Sequence, residues 1–369
     1  VEAIQDWSIT QAFGSPALWN VVGRYCEDRG IVLPTLRRVL SAGAPVPPHV
    51  LRRMKRAIAA DGDVHTPYGA TEALPVASIS ATEVLDETAA RSRHGAGTCV
   101  GRRFPGIRWK VIRIEDGPLP AIEAAEELPR GEIGELIVQG PVVTRRYVTR
   151  CEANALHKIL DGHAFWHRMG DVGYLDEQDR FWFCGRKSHR VRTARGDMYT
   201  VPCEAIFNQH PQVYRSALVG VGPAGQQRPA IIVEPWPDRR PRSEAERIAL
   251  LGELRDLAQA HPHTRAIRDF LIHPAMPVDI RHNAKIFREQ LAGSPLEPLF
   301  RDTEMPLVMV LAEMESEGVR LDTAILEQMS RDLISELYNM KAGEEKDVEF
   351  THEHEDHEHV EHARILVKT

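Results

Sequence analysis

Apolar positions along the chain change their rhythm three times. Up to about residue 184, short β-type runs alternate with turn signals and a few amphipathic helices. Within that block, Pro48–Ala60 puts Val50, Leu51, Met54 and Ile58 on one helical stripe, opened by the pair Pro47-Pro48. The β-branched run Gly131-Glu-Ile-Gly-Glu-Leu-Ile-Val, closed by Gly140-Pro141, predicts a strand hairpin. From about 187 to 292 the pattern becomes that of a small α+β domain. Ser216–Val221, Ala230–Val233 and Phe270–His273 read as strands, and Ser243–Ala260 carries leucines at helical spacing. A proline-broken loop, Pro235-Trp-Pro-Asp-Arg-Arg-Pro-Arg, separates the second strand from the helix. The third block opens at Gly293-Ser294-Pro295. There Leu307, Val310, Leu311 and Met314 form a stripe that Gly318 ends, and Asp322 caps a second helix to about Met340. After Lys341 the pattern dissolves into charge and predicts disorder.

Composition narrows this picture. With 369 residues, 43% of them hydrophobic, the chain can bury a core and hold roughly two or three domains. No apolar run approaches the roughly 20 residues that cross a bilayer, and the N-terminus has neither a basic segment nor a cleavage site. A cytoplasmic protein without a membrane span is expected. The five cysteines are widely spaced with no Cys-x-x-Cys pair, which suits reduced thiols. Net charge is −7, but residues 341–369 hold nine acids against four bases. The near-neutral body gives no nucleic-acid footprint, so no nucleic-acid partner is expected.

Chemistry concentrates in six segments: Ser41-Ala-Gly-Ala-Pro45, Tyr68-Gly-Ala-Thr-Glu72, Gly131-Glu-Ile-Gly-Glu-Leu, Gly170-Asp-Val-Gly-Tyr-Leu-Asp176, Gly185-Arg186 and Asn283-Ala-Lys285-Ile. In this order they resemble the signatures of the adenylate-forming superfamily of acyl-CoA synthetases, peptide-synthetase adenylation domains and luciferases. The resemblance spans about residues 1–292. It implies a mixed α/β and α+β fold: the C-terminal part of a large AMP-binding domain (1–186), a small mobile α+β domain (187–292), a helical segment (293–340) and an acidic tail (341–369).

The implied reaction brings a carboxylate anion against the α-phosphate of ATP, so the site must neutralise charge and orient both partners. By the resemblance, Glu72 holds Mg²⁺ and the Thr71 hydroxyl contacts phosphate. Tyr68 stacks on adenine beside Gly69, and Gly43, Ala44 and Pro45 let the backbone approach the base. Asp171 accepts from the ribose hydroxyls, and Arg186 reaches ribose or phosphate from the domain junction. Lys285 enters only when the small domain closes. Phe13 and Trp19 are candidate lining residues of the acyl pocket.

The hinge Gly185-Arg-Lys-Ser-His189-Arg-Val lacks the aspartate that most relatives carry there. With Tyr199-Thr-Val-Pro-Cys-Glu-Ala-Ile-Phe207 and Val278-Asp-Ile-Arg-His-Asn-Ala-Lys-Ile, it resembles the β-lactone synthetases of long-chain olefin biosynthesis. That implies a 2-alkyl-3-hydroxy fatty acid as substrate, its own hydroxyl displacing AMP, and other olefin-biosynthesis enzymes as partners. His189 and His282 are weaker candidates for removing the hydroxyl proton. The runners-up are a fatty-acyl-CoA or acyl-AMP ligase and, from another class, a non-catalytic composite or interaction fragment. The phosphate loop of the superfamily is expected upstream of Val1, which leaves little or no adenylating activity in this chain alone. Residues 298–323 resemble a short stretch of bacterial DNA polymerase I, without its metal-binding aspartates. Five histidines in Thr351–His362 are chemically able to chelate Zn²⁺, Ni²⁺ or Cu²⁺ loosely, though a solvated acidic tail is the expected state.

Overall fold

The computed structural model describes residues 1–278, 286–288, 291, 345–354 and 357–366. It divides into one unit, Val1–Glu297, and another, Pro298–Thr369.

In the first unit, parallel strands β1 (Gln11–Gly14), β2 (Arg38–Ser41) and β3 (Asp63–Ala70) are joined through helices that follow a short α1 (Glu2–Asp6). The first crossover helix, α2 (Pro16–Arg29), starts where the Ser15 side chain accepts from Leu18 N–H at 3.3 Å and ends at Gly30 in the left-handed region. The second, α3 (Pro48–Ala57), buries Val50, Leu51 and Met54 as its stripe predicts, while Ile58 lies just past its end and bridges Leu33. Gly23 allows the two helices to approach, since a Cβ there would sit 3.2 Å from Arg53 Cβ. Ser15→Ala is expected to cost about 1 kcal/mol through loss of the cap, measurable as a lower urea midpoint.

The chain then reverses at Thr71-Glu72 into β4 (Ala73–Ser80), which pairs antiparallel with β3. A helical excursion follows: α4 (Ala81–Glu83), a π turn Val84–Thr88, and α5 (Ala89–Arg93). The remaining strands are β5 (Thr98–Arg103), β6 (Arg108–Ile112), β7 (Gly134–Gln139), β8 (Lys158–Asp161), β9 (Ala164–Leu175) and β10 (Arg180–Arg186), with α6 (Ala153–His157) before β8. The sheet runs β1-β2-β3-β4-β5-β10-β9-β7-β6, with β8 on β9. The predicted hairpin at Gly140-Pro141 is not formed. Instead β7 lies between β6 and β9, because its run Leu136, Ile137, Val138 is buried on both faces and takes an interior place.

Beyond Arg186 comes a 3-10 turn, Lys187–His189, and a hairpin of β11 (Val191–Thr193) and β12 (Gly196–Met198). Helix α7 (Thr200–Phe207) and helix α8 (Glu244–Gln259) pack on a sheet of β13 (Val213–Val221), β14 (Arg228–Pro235) and β15 (Asp269–Ile272). The three strands and α8 are the elements that the periodicity of 187–292 predicts, whereas α7 and the β11–β12 hairpin are not among them. Their shared core includes Phe207, Leu218, Ile231, Leu254 and Phe270.

In the second unit, β16 (Glu345–His354) and β17 (His357–Leu366) pair antiparallel, with Glu345 opposite Leu366 and His354 opposite His357. Charge alone assigns this tail to disorder. The two-residue spacing of Val348 and Phe350, and of Ala363 and Ile365, is the strand signal that charge masks. The helical stripes expected at 307–340 lie outside the described residues, as does the stretch likened to DNA polymerase I, which finds no support in the comparisons below.

Candidate active site

The parallel strands end on one side of the sheet, and that is where open α/β sheets hold ligands. A cavity of about 1030 Å³ lies there. It is lined by Gly43, Ala44 and Pro45 after β2, by Tyr68 and Gly69 at the end of β3, by Asp171 on β9 and by Arg186 at the end of β10. Seven predicted nucleotide residues from four separate segments therefore meet in one place.

Register explains how Asp171 and Arg186 meet: they are direct partners in the β9–β10 ladder. A bulge between Phe183 and Gly185 swings the end of β10 into this position, and Gly185 adopts φ +135 there. A side chain at Gly185 would also strike Thr200 Oγ1. Asp171 is 3% exposed. The Tyr68 hydroxyl donates to its Oδ2, and Arg186 Nη1 stands 2.7 Å from its Oδ1. The latter contact is a close ion pair out of hydrogen-bond alignment, which leaves Oδ1 acceptor capacity for an incoming hydroxyl. Burial pushes the Asp171 carboxyl up to about 6 despite both donors. Burial, and then the charge of Asp171, hold the Tyr68 phenol well above its ordinary range.

Thr71 and Glu72 occupy the β3–β4 turn two to three residues beyond Gly69, and do not line the cavity itself. Thr71 is exposed. Glu72 is held by a partner that the sequence does not announce, since the Tyr147 hydroxyl donates to its Oε1 at 2.9 Å. Thr144 N–H donates to the Glu72 carbonyl at 2.8 Å, and Lys158 Nζ donates to the Thr144 carbonyl at 2.5 Å. Partial burial opposes ionisation of Glu72, but the Tyr147 hydroxyl and the nearby His167 and Lys158 bring its carboxyl below the usual range. Burial lowers Lys158 to about 8 and His167 to about 4. Among the described residues no group of three or more His, Cys, Asp or Glu side chains is arranged to cage a metal. One ionised carboxylate beside a hydroxyl instead suits a hard cation that keeps most of its waters and is shared with phosphate.

The hinge turn is anchored to the large sheet. Lys187 Nζ donates to Glu135 Oε2 at 3.0 Å, while Arg190 and Arg192 pair with Asp116 at 2.7 and 3.0 Å. His189 is half-buried in this turn and does not line the cavity. Trp19, expected in an acyl pocket, does not line this cavity. Its side chain is 3% exposed within the core under α2, with Nε1 donating to the Leu40 carbonyl at 3.1 Å. An aromatic on the inward stripe of α2 has packing as its first use. Phe13 is 67% exposed on β1 and is not part of the cavity. Lys285 and His282 lie outside the described residues. Ser41, which opens the Ser41–Pro45 segment without an assigned role, also belongs to the lining; it is 1% exposed, and its Oγ has no hydrogen-bond partner among the described residues.

The profile of the AMP-binding enzyme family matches residues 1–148. With this match the chain carries a domain of the AMP-binding enzyme class. Within that class it is 47% identical over 296 residues to the olefin β-lactone synthetase of Xanthomonas campestris, covering 79% of this chain and 52% of that protein. The olefin β-lactone synthetase of Stenotrophomonas maltophilia is 48% identical with the same coverage. The chain thus spans about half the length of these curated relatives. Among solved structures, the amide bond synthetase McbA of Marinactinospora thermotolerans superposes with TM-score 0.59 at 23% identity, covering 79% of this chain and 54% of that one. The o-succinylbenzoate CoA synthetase of Bacillus subtilis, solved with ATP and magnesium ion, gives TM-score 0.59 at 20% identity, covering 79% and 53%.

Proposed function

We propose that this chain belongs to an enzyme that uses ATP to activate a 2-alkyl-3-hydroxy fatty acid as its acyl-AMP and then closes it to a β-lactone. The observation that carries the reading is the convergence of Gly43, Ala44, Pro45, Tyr68, Asp171 and Arg186 on one cavity. The substrate class is supported by the printed names of the relatives at 47% and 48% identity. No helix among the described residues is long and apolar enough to span a membrane. A cytoplasmic enzyme working beside other olefin-biosynthesis enzymes fits the same reading.

In the first step a carboxylate oxygen bonds to the α-phosphorus and pyrophosphate leaves. Tyr68 and the Gly43–Pro45 turn hold the base, and Asp171 accepts from the ribose hydroxyls while Arg186 steadies the same end. Thr71 contacts phosphate. Magnesium, held by Glu72, would neutralise charge on the phosphates. Lys285 meets the carboxylate and α-phosphate when the small domain closes, and the hinge through His189 carries that motion. In the second step the 3-hydroxyl oxygen attacks the acyl carbon, its proton passes to a base, and AMP departs. Intramolecular attack supplies the nucleophile at high effective concentration.

The test is product analysis with a protein that contains this chain and has the full length of its relatives. Incubation with ATP and a 2-alkyl-3-hydroxy acid is expected to give AMP and a product lighter by one water, with or without coenzyme A. Lys285→Ala is expected to slow AMP formation roughly 10²- to 10³-fold. A thioester formed only with coenzyme A would favour the acyl-CoA ligase named among the 27% identical relatives, and absence of AMP would remove ligase activity altogether.

A further inference from the structure

We infer that the cavity extends beside its nucleotide cradle into an arm that receives an alkyl branch of the substrate, between the helical excursion 81–93 and α7 of the small domain. This rests on the proposed carboxylate activation and deepens it by giving one of two alkyl chains a place. Size is the first argument. A cavity of about 1030 Å³ reaches the top of the roughly 300–1,000 Å³ range of small-molecule sites, more than a nucleotide alone calls for.

Lining is the second. Beyond the cradle the wall is built from Val84, Ala89, Val100, Phe183 and Ala205, which offer aliphatic and aromatic surface. The two sides are tied together at their polar edge, where Gln209 Nε2 donates to the Arg93 carbonyl at 2.6 Å. Backbone irregularity is the third. Val84–Thr88 forms a π turn between α4 and α5, a departure from the regular helix that concentrates at functional sites. The same lining includes the polar Thr88, Ser92 and Asn208, yet apolar surface predominates, which suits an alkyl branch better than a second polar ligand.

Each methylene seated in such an arm is worth about fourfold in affinity, so three of them give roughly fifty-fold. The experiment is calorimetric titration of the intact chain with three non-hydrolysable acyl-sulfamoyl adenosines. One carries acetyl, one unbranched tetradecanoyl, and one tetradecanoyl with a 2-decyl branch. The branched compound is expected to bind at least about tenfold tighter than the unbranched one. Ala89→Trp and, separately, Ala205→Trp are expected to erase that advantage and leave the acetyl compound unaffected. Both alanines are only partly buried, so an indole displaces solvent rather than core, and unchanged unfolding midpoints verify this. An acetyl compound that binds while the branch adds nothing overturns the arm and leaves the adenylate reading standing. A branch advantage that survives in both variants also overturns the arm. Failure of the acetyl compound to bind overturns both.

Discussion

Glu135→Ala is expected to lower the unfolding free energy by about 3–5 kcal/mol, because it strands the buried Arg168 and the half-buried Lys187 at once. Glu135 on β7 is fully buried, and Arg168 on β9 is 1% exposed. Arg168 donates through Nη2 at 2.6 Å and Nε at 3.1 Å to Glu135 Oε2. Its remaining donors go to the carbonyls of Glu115, Gly117 and Leu156. Lys187 joins the same carboxylate from the hinge turn. Removing the acid leaves Arg168 with backbone carbonyls alone and Lys187 without its anion. Urea denaturation measures the loss. Adding Arg168→Met to the alanine variant should cost less than the sum of the single changes, since the pair is one unit. A loss under about 1 kcal/mol for Glu135→Ala would mean that the pair contributes little beyond a surface bridge.

Asp171→Asn is expected to weaken binding of AMP roughly 100-fold while making the protein more stable near neutral pH. Hydrogen bonds to a charged acceptor are worth about 1.5–3 kcal/mol each, and the amide retains one weaker acceptor. The folded pKa of about 6 lies above the unfolded value near 3.9. Between those values the folded protein holds the extra proton, so stability declines as pH rises from about 4 to about 6, and the cost is complete above 6. Asparagine removes that cost. The variant should therefore gain about 3 kcal/mol at pH 7.5 and nothing below pH 4. In the parent protein, AMP affinity should fall about tenfold per unit as pH drops below 6, because protonation takes away the acceptor. Calorimetric titration across pH 5–8 checks the binding, and thermal melts over pH 3.5–8 check the stability. A variant that binds AMP as well as the parent would remove Asp171 from the site.

That Gly43–Pro45, Tyr68, Asp171 and Arg186 belong together was legible because they come as short local motifs, each a turn or strand end whose backbone role is written in glycine, proline and an aromatic neighbour. Strands β13, β14 and β15 and the leucine-rich α8 were legible for a related reason, since they follow simple periods. What escaped were relations across the sheet. Nothing local to Tyr147 says that its hydroxyl reaches Glu72, 75 positions away. The interior place of β7 depends on which strands flank it, and a run that is apolar on both faces also fits other positions. Trp19 shows the opposite difficulty, because an aromatic near a ligand-side strand end serves core and pocket equally well until burial is known, and here it is buried in the core.

Arg186 closes β10 and opens the hinge, yet it also supplies the positive charge nearest Asp171. Its attraction opposes the effect of burial on that carboxyl. Were the proposed hinge rotation to draw the guanidinium away, Asp171 would grip its proton more strongly, and that movement would answer to the acidity of the surrounding solution.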